Sequence, residues 1–192
     1  MKSLNQLLAG AAAAALFLTA MPASAQKAPA PAGQGPDVAA QCAAMQQLAF
    51  LHGTWVGATT AFRPNGSKVT SLSKDVVTPL MDGELLAFAG SSYAPGATLA
   101  DAPAMQNYGI LSFDDRAGKL ILTSFANGAQ MRGEGRIVGP GHVEWTMPSP
   151  VGLLRFMVTA QGKDGWLEAI DVSADEGKSW RKFVEIAFRR AP

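Results

Sequence analysis

From Gly53 onward the chain alternates apolar and polar positions in short runs, each ending in residues that turn the backbone. A period of two is that of a half-buried strand. It predicts strands at Thr54–Arg63, Lys68–Thr78, Glu84–Tyr93, Gln106–Asp114, Lys119–Ala126, Ala129–Val138, His142–Met147, Val151–Gln161, Trp166–Ser173 and Ser179–Arg189. Between them stand Pro64-Asn65-Gly66-Ser67, Met81-Asp82-Gly83, Asn127-Gly128, Gly139-Pro140-Gly141, Gly162-Lys163-Asp164-Gly165 and Asp175-Glu176-Gly177. Asn-Gly and Asp-Gly supply the positive φ that tight hairpins need. Ahead of the strands, Val38, Cys42, Met45 and Leu48/Ala49 recur at helical spacing, after an Asp37 placed to cap a first turn. A helix from Asp37 to about Ala49 is therefore expected. Cys42 lies on its apolar face as a small hydrophobe, with an intermolecular disulfide or a reactive thiol as the alternative.

The fold expected is all-β: an antiparallel up-and-down meander of about ten strands closed into a barrel, with one short N-terminal helix. Left flat, such a sheet would expose two long edges, and closure removes them. The Asn127-Gly128 turn sets one register, pairing Ala126 with Ala129, Ser124 with Met131, Leu122 with Gly133 and Leu120 with Gly135. That set is apolar and small, so it is placed inside, where the glycines either make room or let the strand bend. For His142–Met147 the turn can be counted two ways. One puts Val143, Trp145 and Met147 inside; the other puts His142, Glu144 and Thr146 there. The long connection from Ala94 to Met105 is either a lid over one mouth or a mobile loop.

The N-terminus has a different grammar. Met1-Lys2, an uncharged run from Leu7 to Ala20, and Ala23-Ser24-Ala25 together predict a secretory signal (residues 1–25) cleaved after Ala25. The run is shorter than the roughly 20 residues a membrane span needs. Residues 26–36 are Ala, Pro, Gly and Gln with one Lys and read as a flexible tether, leaving 37–192 as the folded domain. The product is expected to be exported, without a membrane span once the signal is removed. It would be periplasmic in a Gram-negative source and secreted otherwise.

Composition then narrows the function. The 192 residues are 48% hydrophobic, which sustains a core. Sixteen Lys and Arg against fifteen Asp and Glu leave +1, and loss of Lys2 brings that to zero. A neutral chain offers no basic face for nucleic acid. With one Cys and two His, neither a disulfide framework nor a multi-histidine metal site is expected, and no cofactor is assigned.

Two groups of residues carry resemblances. Leu48-Ala49-Phe50-Leu51-His52-Gly53-Thr54-Trp55-Val56-Gly57, a helical lead into Gly-x-Trp at the head of the first strand, resembles the lipocalin/calycin superfamily, and within it exported bacterial lipocalin-like proteins. The resemblance implies that Gly53 and Trp55 close one end of the barrel, with a basic residue from the last strand, Arg189 or its neighbour Arg190, lying across the indole. Ser173-x-Asp175-x-Gly177-x-x-Trp180 resembles an Asp-box, which implies a structural hairpin device and no catalysis. A propeller would need the motif repeated over a longer chain.

No nucleophile elbow or phosphate-cradling loop is present. Glu144, Glu168, Asp171 and Glu185 fall within late strands. An inward carboxylate there would have a raised pKa and acid–base use, whereas plain alternation would put each on the solvent face. Three functions remain. The first is a barrel binding a small, mostly apolar molecule, with Leu122, Met131, Glu144 and Phe156 as lining residues. The second is an interaction or structural module with a filled interior. The third is a small isomerase, cyclase or hydrolase with an inward carboxylate beside Arg155.

Overall fold

The computed structural model describes residues 35–192, so the expected signal peptide and nearly all of the expected tether lie outside the described residues. Helix α1 spans Val38–Gln46, and the Asp37 carboxylate accepts the Ala40 amide at 3.0 Å. The helix is shorter than its apolar spacing suggested. The chain tightens after Gln46 and passes through a 3-10 turn at Ala49–Leu51. Val38, placed on the apolar face from the sequence, is 46% exposed, whereas Met45 and Leu48 are sealed in the core. Cys42 is half-buried with its thiol unlinked. The helix is moored by Asp115 of the β4–β5 turn, which accepts the Asp37 amide at 3.0 Å and the Gln41 side-chain amide at 2.7 Å.

Ten antiparallel strands follow: β1 (Gly53–Phe62), β2 (Lys68–Leu80), β3 (Leu85–Ser92), β4 (Met105–Asp114), β5 (Lys119–Ala126), β6 (Ala129–Gly139), β7 (His142–Ser149), β8 (Gly152–Ala160), β9 (Gly165–Ser173) and β10 (Arg181–Arg190). Each pairs with its neighbour in sequence, and β10 pairs with β1 to close the barrel. Closure sets Trp55 opposite Arg190, Gly57 opposite Phe188 and Thr59 opposite Ile186.

Side chains that share a register position share a face, so the core residues define the inside. The β5–β6 register is the one the two-residue turn dictates, from Ala126↔Ala129 to Leu120↔Gly135. Between the two counts for β7, the first is observed, with Val143, Trp145 and Met147 buried at 1%, 6% and 2% exposure. The space beside Gly133 and Gly135 is filled, not empty. A Cβ on Gly135 would stand 2.8 Å from the Trp145 Cβ, and one on Gly133 would stand 3.0 Å from that of Met147. These glycines let β7 pass close enough for its large inward side chains to fit.

The two ends of the barrel differ. At one end Leu48, Leu51, Trp55, Leu86, Leu111, Leu120, Val143 and Val158 form a sealed core. This is the end where α1 sits, against β3 and β4. At the other end the strands finish in hairpins and in the long β3–β4 connection. That connection brings Leu99 into a cleft with Thr54, Val56 and Lys74, residues on the outer face of β1 and β2. At Leu99 the connection leans on the outer wall.

Candidate functional site

The closed end is built on Trp55. Its indole donates to the Leu51 carbonyl at 2.6 Å, and its ring meets Trp166 edge-on, 6.1 Å between centroids. Trp166 in turn stacks on Phe188 at 3.9 Å. The basic residue over the indole is Arg190, with its guanidinium carbon 4.3 Å from the ring. Arg189 is corrected here: it pairs with Val56 and so faces the other way. Arg190 also donates to the His52 carbonyl at 3.2 Å. Gly53, at φ 120°, leaves that path open, since a Cβ there would come within 2.6 Å of the guanidinium.

The Ser173–Trp180 segment is a hydrogen-bonded turn. Asp175 accepts from the Ser179 hydroxyl at 2.6 Å, the Ser179 amide at 2.8 Å and the Ser173 hydroxyl at 2.7 Å. These donors hold its carboxyl at about 2. Gly177 takes positive φ at 89°, and its amide donates to Ser173 Oγ at 2.7 Å. Trp180 lies under Arg155, 4.4 Å from the guanidinium carbon, and Arg155 pairs with Asp171 at 2.6 Å. This group is on the outer wall. The expected pairing of Arg155 with an inward carboxylate is therefore absent.

Of the four lining residues expected from the sequence, Leu122, Met131 and Phe156 share the inward face. Leu122 is 9% exposed and belongs to the core; Met131 and Phe156 are half-buried against it. Phe156 stacks on Trp145 at 5.5 Å with an interplanar angle of 17°. Glu144 is corrected to the outer wall, where it receives Arg136 at 2.9 Å and lies 3.5 Å from His142 Nε2. The burial of Trp145 dictates this, because adjacent residues of a strand point to opposite faces.

Beyond the sealed end, the inward positions change character. Ala61, Met131, Leu154, Phe156, Ile170 and Val184 all point inward, yet each is only half-buried. An inward side chain that keeps solvent contact requires water-sized space inside the wall. The inward positions are thus fully packed toward the sealed end and only half-buried toward the other. Thr59 and Ser73 hydrogen-bond to each other on this wall at 2.7 Å.

Two carboxylates share that interior. Glu168 is the partner of Val158 and Ile186, both core residues, so it points inward. Asp75 pairs with Trp55 and Gly90 and points inward too. Burial raises Asp75 to about 7. Burial, reinforced by the Asp75 charge, raises Glu168 to about 8. Both residues are half-buried, and neither side chain has a hydrogen-bond or ion-pair partner among the described residues. Asp75 had no signature in the sequence, because both faces of β2 are mixed: Val69, Ser71, Ser73, Asp75 and Val77 on one, Thr70, Leu72, Lys74 and Val76 on the other.

A concavity of about 930 Å³ lies on the outer wall at the open rim. Val76, Tyr108 and Phe125 floor it, exposed at 36%, 46% and 47%. Among the described residues no group of three or more His, Cys, Asp or Glu could hold a metal ion.

No family model matches the chain, and no curated protein matches it. Among solved structures it is similar to Rv2717c from M. tuberculosis, with a TM-score of 0.60 and 18% identity over 78% of this chain and 98% of that one. It is also similar to the S-type phycobiliprotein lyase CPES from Guillardia theta, with a TM-score of 0.57 and 11% identity over 77% of this chain and 92% of the lyase. The chain folds as a lipocalin-like barrel. Identities this low carry the fold and no activity.

Proposed function

We propose that this lipocalin-like barrel is an exported binding protein that holds a small, mostly apolar molecule in the outer half of its lumen. The observation that carries the reading is the half-burial of the inward apolar positions from Met131 to Val184, beside an inner half that is fully packed. A barrel of ten strands has more interior than its own side chains need to fill. Entry is by the open end, since α1 and the Trp55 cluster occupy the other. Export rests on the leader in residues 1–25 and its small-residue site at Ala25.

Native mass spectrometry of the protein purified from its own envelope tests the reading. The expected result is a co-purified small molecule that is released on unfolding. Repeated empty spectra, together with no saturable uptake of an uncharged naphthalene probe, would overturn it. Glu168 and Asp75 favour one further reading, an acid–base enzyme in the same lumen, because both titrate near neutrality. Turnover of a carbonyl or ester substrate that is lost in Glu168→Gln would establish it.

A further inference from the structure

Resting on that reading, we propose that the lumen is specific for a small organic cation: an ammonium group held by Asp75 and Glu168, with its apolar body lying along the Trp145–Phe156 side of the wall.

The argument begins with charge. Both carboxylates point into the barrel, one from β2 and one from β9, near enough that the charge of one raises the other. No Lys or Arg neutralises them. Among the described residues two basic residues stand at inward strand positions: Arg190 is engaged over Trp55 and with the His52 carbonyl, and Arg181, at the open rim opposite Val172, is exposed and lies over the Phe183 ring. His142 is on the outer wall beside Glu144, and the buried Nε2 of His52 belongs to the segment leading into β1. Both residues are half-buried, and two inward carboxylates without a protein cation are better held by a bound cation than by water alone. Here the protein supplies none.

A second observation concerns the wall itself. The indole nitrogens of Trp145 and Trp166 are buried on the inward face without a hydrogen-bond partner. Their residues are 6% and 2% exposed, and Trp166 stands two positions from Glu168 on the same face. Buried donors are ordinarily satisfied, and an unsatisfied one calls for an explanation. The Trp145 nitrogen, on the ring that stacks with Phe156, is the one an acceptor atom of the guest would meet, whereas Trp166 belongs to the closed-end stack with Trp55 and Phe188. The aromatic rings suit such a guest as well, because cations are attracted to ring faces. A metal ion is disfavoured by the absence of a third ligating side chain among the described residues. An ammonium needs only the two acceptors and the rings.

Three isosteric probes test this on the full chain by titration calorimetry at pH 8.5, above the values of about 7 and about 8 held by the two carboxylates. They are 1-naphthylmethylamine, 1-naphthylmethanol and 1-naphthoate. The amine is expected to bind about tenfold more tightly than the alcohol, the margin of a charge-assisted hydrogen bond over a neutral one, and the carboxylate to bind least. Asp75→Asn and Glu168→Gln should each bring the affinity for the amine to within about twofold of that for the alcohol. Circular dichroism establishes that both variants keep the barrel, and Glu168→Asp, which retains the charge, should retain part of the preference. Equal binding of amine and alcohol, or a preference that survives both neutral variants, would overturn the cation site alone. Failure of all three probes to bind would overturn the lumen itself.

Discussion

Trp55 shows how one residue holds an end of the barrel. It is fully buried, hydrogen-bonded through its nitrogen, and covered by Arg190. Trp55→Ala should cost about 3–5 kcal/mol in urea unfolding, the range for emptying a large aromatic site. Arg190→Ala should cost about 0.5–1 kcal/mol for the lost cation–π contact. Arg189→Ala should change stability by less than about 0.5 kcal/mol, as for a surface residue without such a contact. If the two arginine variants behaved alike, the assigned geometry would be wrong. Asp175 makes a prediction in acid. Its carboxyl is lowered from 3.8 to about 2, so its contribution is complete above 3.8 and disappears as the pH falls toward 2. Asp175→Asn should therefore lose stability relative to the parent at pH 5, and the gap should close near pH 2 in acid titrations followed by circular dichroism.

At the scale of the element, most of the strands lie within a residue or two of where the alternation placed them. Their boundaries are local facts: turn residues have backbone preferences that act whatever surrounds them. The β5–β6 register was legible for the same reason, since a two-residue turn leaves the strands no freedom to slip. The β6–β7 turn was not legible. Its register shifts between Ile137 and Gly139, and a bulge of that kind changes which residues face inward. The helix was overextended because periodicity cannot show where tertiary packing replaces an α-turn with a 3-10 turn. Gly135 offers a test at this scale. A Cβ there would meet the Glu144 carbonyl oxygen at 2.5 Å and the Trp145 Cβ at 2.8 Å. Gly135→Ala should destabilise by about 1–3 kcal/mol, the usual cost of overpacking. The same change at Gly128 would act through its backbone conformation, φ 77°, because no atom stands within 4 Å.

For the molecule as a whole, the inward acid pair sets a pH dependence. The Glu168 carboxyl rises from 4.5 to about 8 on folding, so the folded state holds a proton that the unfolded chain has lost. Stability from this source is full below 4.5 and declines as the pH climbs from there to about 8. Glu168→Gln should gain on the parent over that interval and keep a constant advantage above it, read from urea midpoints at pH 5 and pH 8.5. An advantage that stayed the same at both pH values would mean that Glu168 faces solvent. A ligand bound in the lumen should also raise the unfolding free energy, by about 2.7 kcal/mol at a hundredfold excess over its Kd.

What the chain alone determined was whatever depends on near neighbours: strand positions, turn chemistry, the Asp37 cap and the Ser173–Trp180 turn. The tertiary structure decided which side chains meet across the barrel. Arg190 and not Arg189 covers Trp55, Trp145 and not Glu144 enters the core, and Asp75 shares an interior with Glu168. The first depends on the closing pair of β1 with β10, the second on the shifted β6–β7 register, and the third on registers carried around the barrel. A one-residue slip in such a register turns every side chain of a strand to the opposite face. The candidate site is built from strands remote in sequence, so only closure of the barrel assembles it.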